Sequence, residues 1–307
     1  MALNAPKPLA QSGSGVIMPD LTAVLKLPQT VKMSDATFRQ LREFIYKQTG
    51  IYFQDNKKYL LEGRLGKRLQ VLNLPDFERY DQLLRAGTGR ADEMRFLYDA
   101  VTINETFFFR NEPQFEAFEK TLVPQIVASR KQNGRATLRV WSAASSSGEE
   151  AYTIAMIFLE RIRPLYPWLD LEVVGTDISR SVLETARSGV YREYSIRNMP
   201  PYYLNKYFTA DDGRFTLKDD VRRLVHFEHM NLYDRPRMRT MSRFDVVFCC
   251  NVLIYFDQQS KIQVVSDLYD SLNPGGYLFI GYAESLHGIS SAFKLVNFPK
   301  TVAYKKE

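Results

Sequence analysis

Residues 139–156 read Arg-Val-Trp-Ser-Ala-Ala-Ser-Ser-Ser-Gly-Glu-Glu-Ala-Tyr-Thr-Ile-Ala-Met. An apolar strand from Leu138 to Ala143 leads into five small residues, and a helix is predicted to begin near Glu149. A strand, a small-residue turn and a helix N-terminus form the nucleotide-binding corner of a doubly wound sheet, where small side chains let a ligand approach the backbone. An ordinary loop between strand and helix fits the same residues, so the stretch predicts a ligand site only together with others.

Strand and helix patterns alternate along the chain from Thr137 onward. This rhythm predicts an α/β fold, a doubly wound and mostly parallel sheet with helices on both faces. The predicted strands are residues 138–143, 171–176, 244–250 and 277–282, and the predicted helices are residues 149–163, 179–188 and 258–272. Residues 191–232 interrupt the rhythm and predict an inserted subdomain with a small antiparallel sheet around residues 215–227. The segment from Ala292 to Lys305 predicts a closing edge strand.

The N-terminal third of the chain has a different pattern. Residues 1–33 are rich in Pro, Ser, Gly and Ala without periodicity, which predicts a mobile tail. An all-helical domain is predicted over residues 34–103, where Ser34 caps the first helix and Gly50 ends it. Its further helices are predicted at about 56–72, 76–86 and 91–101. The α/β domain then takes residues 104–307, and its first helix opens at Pro113 and runs towards Gln132.

Positive charge gathers on the second predicted helix and around it. Residues 37–70 contain eight Lys or Arg against three Asp or Glu. A charge run is most often a solvated face, but here the cations align on one side of the helix, which favours docking to an acidic partner. The candidate docking residues are Lys57, Arg64, Lys67 and Arg68.

Composition limits the classes of protein that fit. The 307 residues suit two domains, and the net charge of +6 suggests an acidic partner surface. The two cysteines are adjacent, at Cys249 and Cys250, which excludes a disulfide framework and indicates a reducing cytoplasm. No apolar run reaches the roughly 20 residues of a membrane span, and the N-terminus lacks the pattern of a signal peptide. We therefore expect no direct insertion into a membrane.

Polar residues stand where the predicted strands end. Asp177 stands at the end of the second predicted strand, and Asn251 stands at the end of the third. Asn231 precedes the third strand. Ligands of open α/β sheets bind at these carboxyl ends, and a carboxylate such as Asp177 can accept hydrogen bonds from both ribose hydroxyls of a nucleoside. A helix N-cap or turn aspartate is the alternative interpretation. Along the chain come the small-residue turn at 144–148, the acid Asp177, the amide Asn231 and the loop that begins at Asn251. This order suits S-adenosylmethionine better than a dinucleotide, because a glycine-poor turn leaves little room for a pyrophosphate.

Three consecutive phenylalanines lie between the two predicted domains, in Thr102-Ile-Asn-Glu-Thr-Phe-Phe-Phe-Arg-Asn111. They break any helical amphipathicity and are bracketed by the polar residues Asn104, Thr106 and Arg110. The segment predicts either an aromatic hinge that packs the domains together or a ligand lid with polar tips.

Several motifs together resemble the chemotaxis receptor glutamate methyltransferases, the CheR family, over residues 34–305. Each motif alone is weak, but the set is specific. The motifs are Asn104-Glu-Thr-Phe-Phe-Phe-Arg110, Trp141-Ser-Ala-Ala-Ser-Ser-Ser-Gly-Glu-Glu150, Thr176-Asp-Ile, Ala186-Arg-Ser-Gly-Val-Tyr-Arg192, Asn251-Val-Leu-Ile-Tyr-Phe256 and Gly281-Tyr-Ala-Glu-Ser285.

The resemblance implies an S-adenosylmethionine-dependent enzyme that makes γ-glutamyl methyl esters on the cytoplasmic helices of membrane chemoreceptors and releases S-adenosylhomocysteine. It also implies that the N-terminal helices dock on the receptor's acidic bundle, so the protein is expected in the cytoplasm, at receptor clusters. The cofactor-binding residues that it implies are Asn104, Thr106, Arg110, Glu150, Asp177, Asn231, Leu232 and Asn251, with Cys250 beside them.

Methyl transfer to glutamate agrees with the residues available. A glutamate with a pKa of about 4.3 is already a nucleophile at pH 7, so no general base is required. Arg110 and Tyr255 are the candidates for aligning it with the sulfonium methyl, and the Arg110 fork can hold either the cofactor's carboxylate or the target's. The sequence departs from the family at Cys250, where an arginine is usual, so any substrate-orienting role of that arginine is lost or moved elsewhere.

Rival interpretations remain open. The position of Cys250 is compatible with a non-catalytic docking or signalling module that retains the fold. Asn198-Met-Pro-Pro-Tyr202 faintly resembles a loop of nucleic-acid amino methyltransferases, but it follows the second strand, where that loop does not belong. No nucleic-acid partner is expected.

A metal site is not expected either, because the cysteines are adjacent and the histidines lack ligand spacing. Some members of the family that the chain resembles hold a receptor's C-terminal tail through a longer glycine-rich loop in the inserted subdomain. The corresponding loop here, Thr209-Ala-Asp-Asp-Gly-Arg-Phe215, is short with a single glycine, so tail tethering is not expected.

Overall fold

A computed structural model describes residues 31–86, 90–130 and 136–307. The predicted mobile tail lies outside these residues except for 31–33. Of those, Met33 is 2% exposed and packs in the helical core, with its N–H donating to Glu62 at 2.8 Å. Ordered packing therefore begins before residue 34.

The first domain is helical, as its periodicity predicts. Ser34 Oγ caps the first helix by accepting from the Thr37 N–H, and Gly50 ends that helix with a φ of 72°. Three leucines of the second helix, Leu61, Leu65 and Leu69, lie in the core between the helices. The helices are α1 (Asp35–Thr49), α2 (Lys58–Val71), α3 (Phe77–Arg85) and α4 (Arg90–Val101), with a 3₁₀ turn at Asp55–Lys57.

The second domain is built on a seven-stranded sheet within the described residues. Its order is β6-β2-β1-β7-β8-β10-β9, parallel from β6 to β8, and the small sheet has the order β3-β5-β4. The strands are β1 (Ala136–Ala143), β2 (Leu169–Asp177), β3 (Val190–Tyr191), β4 (Phe208–Asp211), β5 (Arg214–Leu217), β6 (Val225–His229), β7 (Phe244–Cys249), β8 (Leu272–Ile280), β9 (Phe293–Phe298) and β10 (Thr301–Lys306).

Helices cover both faces of this sheet. Neighbouring residues of β1 point to opposite sides, because Val140 belongs to one apolar cluster and Trp141 to the other. The helices are α5 (Glu112–Ala117), α6 (Val123–Ser129), α7 (Glu149–Ile157), α8 (Arg180–Ser188), α9 (Glu193–Ile196), α10 (Pro201–Tyr207), α11 (Asp219–Arg222), α12 (Arg235–Met238) and α13 (Gln258–Ser271). The prediction of a doubly wound α/β fold with an N-terminal helical domain and a small antiparallel sheet is confirmed.

Two details of the prediction are wrong. Val225–His229 is not part of the small sheet but pairs in parallel with β2, at the edge of the main sheet, because its apolar residues extend the main core. The segment after Ala292 is not one edge strand but the antiparallel hairpin β9–β10, in which β10 pairs with β8 and β9 forms the edge. The small sheet therefore spans residues 190–217.

The strand order reverses at β1, whose neighbours are β2 on one side and β7 on the other. A crevice opens at the carboxyl ends of the strands at such a switch point. Among the described helices, none combines the length and the apolar character that crossing a bilayer requires.

Candidate functional site

A cavity of about 1000 Å³, which includes open solvent at its mouth, lies at the carboxyl ends of β1, β2 and β7. The helical domain forms one wall through Thr49, Ile51, Thr102 and Ile103. The cavity brings together all of the predicted cofactor and alignment residues, which are Asn104, Thr106, Arg110, Glu150, Asp177, Asn231, Leu232, Cys250, Asn251 and Tyr255. The predicted docking residues do not line it.

The serine turn forms the floor of the cavity. Ala144 and Ser146 hold left-handed φ values of 59° and 51°, a conformation that is costly for residues other than glycine and is typical of functional sites. Gly148, at φ 91°, precedes α7, and a Cβ there would come within 2.8 Å of the Phe227 ring. Ser145 Oγ is buried without a hydrogen-bond partner among the described residues, and it lies beside Gly175, where a Cβ would come within 3.1 Å of it.

Asp177 joins the turn to the next helix. Its carboxylate accepts from the N–H groups of Ser146 and Ser179, both at 2.9 Å. Burial raises the pKa of Asp177 to about 6, although these backbone hydrogen bonds oppose the rise. The two interpretations of this residue, ribose acceptor and turn aspartate, are compatible, because each carboxylate oxygen has a second lone pair.

Glu150 lies on the first turn of α7 and accepts from Ser142 Oγ at 2.7 Å. Burial raises its pKa to about 7, while hydrogen bonds from Ser142 and Cys250 and the charge of Arg110 oppose the rise. Cys250 Sγ also lies 3.3 Å from Gln114 Oε1. The thiol at this position is neutral, because burial raises the pKa of Cys250 well above its usual value.

Glu284 organises the loop after β7, a role that the sequence reasoning missed. Its carboxylate accepts from the N–H groups of Gly281, Asn251 and Ile254 at 2.6, 3.0 and 3.1 Å. Asn251 itself has a φ of 60°. The available signal was the motif Gly281–Ser285, in which an acid follows a strand end, but nothing in the sequence pairs that acid with the loop after β7.

Asn231 connects the cavity to the helical domain. Its side-chain N–H donates to the Gln48 carbonyl at 2.6 Å, and its Oδ1 accepts from the Tyr233 N–H at 3.0 Å. An amide carries two N–H groups and two lone pairs, so one of each remains for a ligand. Asn231 therefore combines a domain contact with its place in the cavity wall.

The three phenylalanines do not pack the two domains together, so the hinge interpretation is wrong. Phe108 is buried in the core of the second domain, with its ring centroid 4.9 Å from that of Tyr191. Phe109 has a φ of 58°, and its N–H donates to Thr153 Oγ at 3.2 Å. The polar residues around them face the cavity, where Arg110 donates to the Glu105 carbonyl.

Tyr255 stands where the two domains meet. Its carbonyl accepts from the Tyr52 N–H at 2.9 Å, within the bridge that pairs Ile51 with Phe256. Burial raises the pKa of Tyr255, and the charges of Arg64 and Arg110 oppose the rise. The phenol is therefore protonated at neutral pH and can donate a hydrogen bond into the cavity.

Two of the predicted docking residues form no ion pair with the described residues, and the other two are held by contacts within the helical domain. Lys57 and Lys67 form no ion pair with the described acidic side chains, and Lys67 is exposed. Arg64 donates to the Val101 carbonyl at 2.6 Å. Arg68 pairs with Glu93 through contacts of 2.7 to 3.0 Å, and the Glu93 side chain is 4% exposed.

The docking prediction for Arg68 is corrected accordingly. A buried carboxylate needs a cation, and Arg68 supplies it while also lying over the Phe96 ring at 3.6 Å. The cations align along α2 partly because Arg68 is needed inside the helical domain. Lys57, Lys67 and Arg64, whose charge acts on Tyr255, remain the docking candidates.

Among the described residues, no group of three or more His, Cys, Asp or Glu side chains is placed to hold a metal ion. Cys249 lies buried on β7, facing away from the cavity lining.

The donor set of the cavity fits S-adenosylmethionine. Asp177 suits ribose hydroxyls, and Glu150 suits a primary ammonium such as that of the methionine moiety. Met230 and Leu232 offer an apolar wall for a base. The floor lets a ligand contact the backbone closely because its side chains are small.

Two family models match the chain, "CheR methyltransferase, all-alpha domain" over residues 36–102 and "CheR methyltransferase, SAM binding domain" over residues 104–302. The chain is 38% identical to a chemotaxis protein methyltransferase of Vibrio parahaemolyticus over 281 residues, which are 90% of this chain and 98% of that protein. It is 36% identical to chemotaxis protein methyltransferase 2 of Vibrio cholerae over 277 residues, 90% and 94% of the two chains. The identity to the Salmonella typhimurium protein of the same kind is 33% over 280 residues, 89% and 92%. The chain therefore belongs to the CheR methyltransferase family, with an all-helical domain followed by an S-adenosylmethionine-binding methyltransferase domain.

Proposed function

We propose that the protein transfers the methyl group of S-adenosylmethionine to glutamate side chains on the cytoplasmic helices of chemoreceptors, in the cytoplasm beside receptor clusters. The single observation that carries the proposal is the cavity at the domain boundary, where buried carboxylates lie together with Arg110 and Tyr255. The relatives named as chemotaxis protein methyltransferases support the receptor as the substrate.

The chemistry needs alignment rather than proton transfer. A glutamate carboxylate is ionised at pH 7, so one of its oxygens can attack carbon directly. The bound sulfonium supplies an activated methyl group whose carbon–sulfur electron pair returns to sulfur. The products are a glutamyl methyl ester and S-adenosylhomocysteine, and no proton has to move.

Two side chains are assigned to hold the incoming carboxylate. Arg110 keeps several guanidinium N–H groups beyond the one that contacts Glu105, and an arginine fork can hold a carboxylate. Tyr255 stays protonated and can donate a hydrogen bond to the same group. Holding the two reacting atoms in contact accounts for much of the rate that such an enzyme requires.

Transfer of a tritiated methyl group to a purified cytoplasmic fragment of a chemoreceptor tests the function. We expect label in the receptor that mild base releases as methanol, because esters hydrolyse and methylated amines do not. Base-stable label, or label in added RNA or DNA instead, would identify a different acceptor. S-adenosylhomocysteine binding without any transfer would identify a non-catalytic module.

Tail tethering is a separate prediction about the small sheet. β4 and β5 are joined by a two-residue turn, Asp212 and Gly213, with φ values of 44° and 67°. This tight hairpin supports the expectation that a receptor's C-terminal peptide does not bind here with high affinity. Calorimetric titration of the protein with such a peptide should give no isotherm in the micromolar range or tighter, and one in that range would contradict the prediction.

A further inference from the structure

A tight turn follows β8 at the edge of the cavity. The Glu284 N–H donates to the Gly281 carbonyl at 2.9 Å, so residues 281–284 form a hydrogen-bonded turn. The Glu284 carboxylate ties this turn to the backbone of Asn251 and Ile254. The contact is close, because a Cβ on Gly281 would lie 2.7 Å from Asn251 Oδ1. The turn is therefore held rigidly against a segment that lines the cavity.

This rigid turn presents a tyrosine to solvent. Tyr282 occupies the second position of the turn and is 93% exposed, and Ile254, on the segment that Glu284 holds, is 52% exposed. Across the bridge between the domains, Tyr52 contacts the Tyr255 backbone and is also exposed, as is Ile103, which lines the cavity. We call these four residues, Tyr52, Ile103, Ile254 and Tyr282, the rim.

The rim combines features that favour a binding surface. Large exposed apolar side chains that cluster around a site mark an interaction surface more often than scattered ones do. A tyrosine on a fixed backbone loses little entropy on binding, and tyrosine is enriched among the residues that dominate interface energies. Lys67 lies three positions after Arg64 on α2, and the charge of Arg64 acts on Tyr255, next to Ile254 of the rim, so this helix brings positive charge that complements an acidic partner.

We propose that the rim docks the apolar face of an amphipathic, acidic helix, the helix that carries the glutamate to be methylated. The inference rests on the proposed function. It adds to the cations of the helical domain a second part of the docking surface, much of which belongs to the methyltransferase domain. Residues three or four positions from a glutamate lie on the same helix face, about 5–6 Å away. A glutamate that enters the cavity therefore places its apolar neighbours against the rim and its acidic neighbours towards α2.

Steady-state methylation of a purified chemoreceptor cytoplasmic fragment tests the inference with Tyr282→Ser and Ile254→Ser. We expect the KM for the fragment to rise about tenfold in each variant, with kcat within about twofold of the wild type. The Kd for S-adenosylhomocysteine should not change, since neither side chain lines the cavity. Tyr282→Phe keeps the ring and should restore a KM near that of the wild type.

Leu165→Ser is the matched control. Leu165 is 71% exposed and lies before β2, at the amino-terminal edge of the sheet, away from the cavity. Its replacement should leave the KM for the fragment unchanged.

Four outcomes would overturn the inference. The first is an unchanged KM in both rim variants while the wild type methylates the fragment, which leaves the proposed function intact. The second is weakened S-adenosylhomocysteine binding in Tyr282→Ser, which would mean that the turn supports the cavity instead. The third is a wild-type dimer that Tyr282→Ser dissociates in sedimentation, which would make a second copy the occupant. If the wild type transfers no methyl group to the fragment, the proposed function fails and the inference fails with it.

Discussion

Asp177 accepts N–H groups from two separate segments, the serine turn and the start of α8. A buried carboxylate without such donors would be protonated at neutral pH, because burial disfavours its charge. Here burial still raises the pKa, to about 6, so the group is ionised at pH 7 by a narrow margin. This margin makes the residue sensitive both to mutation and to pH.

Replacing Asp177 with alanine should weaken the binding of S-adenosylhomocysteine by about a hundredfold. The variant loses two hydrogen bonds from ribose hydroxyls to a charged acceptor, and each contributes roughly 1.5 kcal/mol. Calorimetry measures the loss, and thermal unfolding checks that the serine turn survives. Asp219→Ala, on the exposed helix α11, serves as the control and should bind as the wild type does. Unchanged affinity in Asp177→Ala would contradict the cofactor assignment.

The affinity for S-adenosylhomocysteine should rise with pH between about 5.5 and 7.5. The ligand-binding forms of Asp177 and Glu150 are the ionised ones, and their pKa values are raised to about 6 and about 7. Acidification protonates both groups, and the affinity then falls by up to about tenfold per pH unit for each. In Glu150→Gln the component near pH 7 should disappear while the component near pH 6 remains. A pH-independent affinity in the wild type would show that neither carboxylate binds the ligand in its ionised form.

The helix α2 carries two neighbouring cations with different roles. Arg68 neutralises the nearly buried Glu93, which also accepts from Tyr80 at 2.8 Å, whereas Lys67 extends into solvent. Removal of one partner from a buried pair leaves an uncompensated charge, which costs far more than removal of a solvated charge.

Arg68→Ala should therefore destabilise the protein by about 3 kcal/mol, and Lys67→Ala by less than about 0.5 kcal/mol. Denaturant unfolding measures both changes. Under the docking proposal, Lys67→Ala should raise the KM for the receptor fragment while its stability is kept. The division of roles would be contradicted if Arg68→Ala were as stable as the wild type.

The cavity belongs to neither domain alone. The helical domain contributes a wall and is joined to the methyltransferase domain by the hydrogen bond from Tyr46 to Asp257 at 3.0 Å and by the bonds at Asn231 and Tyr255. Gly50 lies at this junction with a φ of 72°, and a Cβ there would come within 2.6 Å of the Tyr233 ring. A side chain at residue 50 would therefore push the two domains apart.

Gly50→Ala should lower the melting temperature and weaken S-adenosylhomocysteine binding several-fold. The left-handed conformation alone costs an L-residue about 1 kcal/mol, and displacement of the tyrosine ring adds to this. Gly63→Ala is the control, because that glycine is exposed on α2 with no atom within 4 Å of its added Cβ. It should be neutral or slightly stabilising. Equal ligand affinity in both variants would show that the helical wall does not contribute to binding.

Most of the confirmed predictions about the fold come from patterns among residues that are close together in the chain. The period of apolar residues predicts the helices, the caps at Ser34 and Gly50 set the ends of the first one, and the alternation of strand and helix predicts the α/β class. The small residues at 144–148 and the acid at 177 fall at strand ends, where an open sheet binds ligands, so this part of the cavity can be predicted from the pattern. Glu150 and Leu232 are predicted only through the resemblance to the CheR family.

The tertiary structure alone decides which charged side chains have a partner inside the protein and which are left to contact other molecules. Arg68 resembles Lys67 in the sequence, but only the packing of α4 against α2 gives it a buried carboxylate as a partner. Glu284 is a loop acid until the fold brings it to the Asn251 N–H, and β6 joins the main sheet because its apolar side meets that core. The sequence determined the elements and the chemistry that each strand end carries, since these depend on residues a few positions apart. Contacts between residues 25 to 33 positions apart depend on how the elements pack, and no local pattern encodes them.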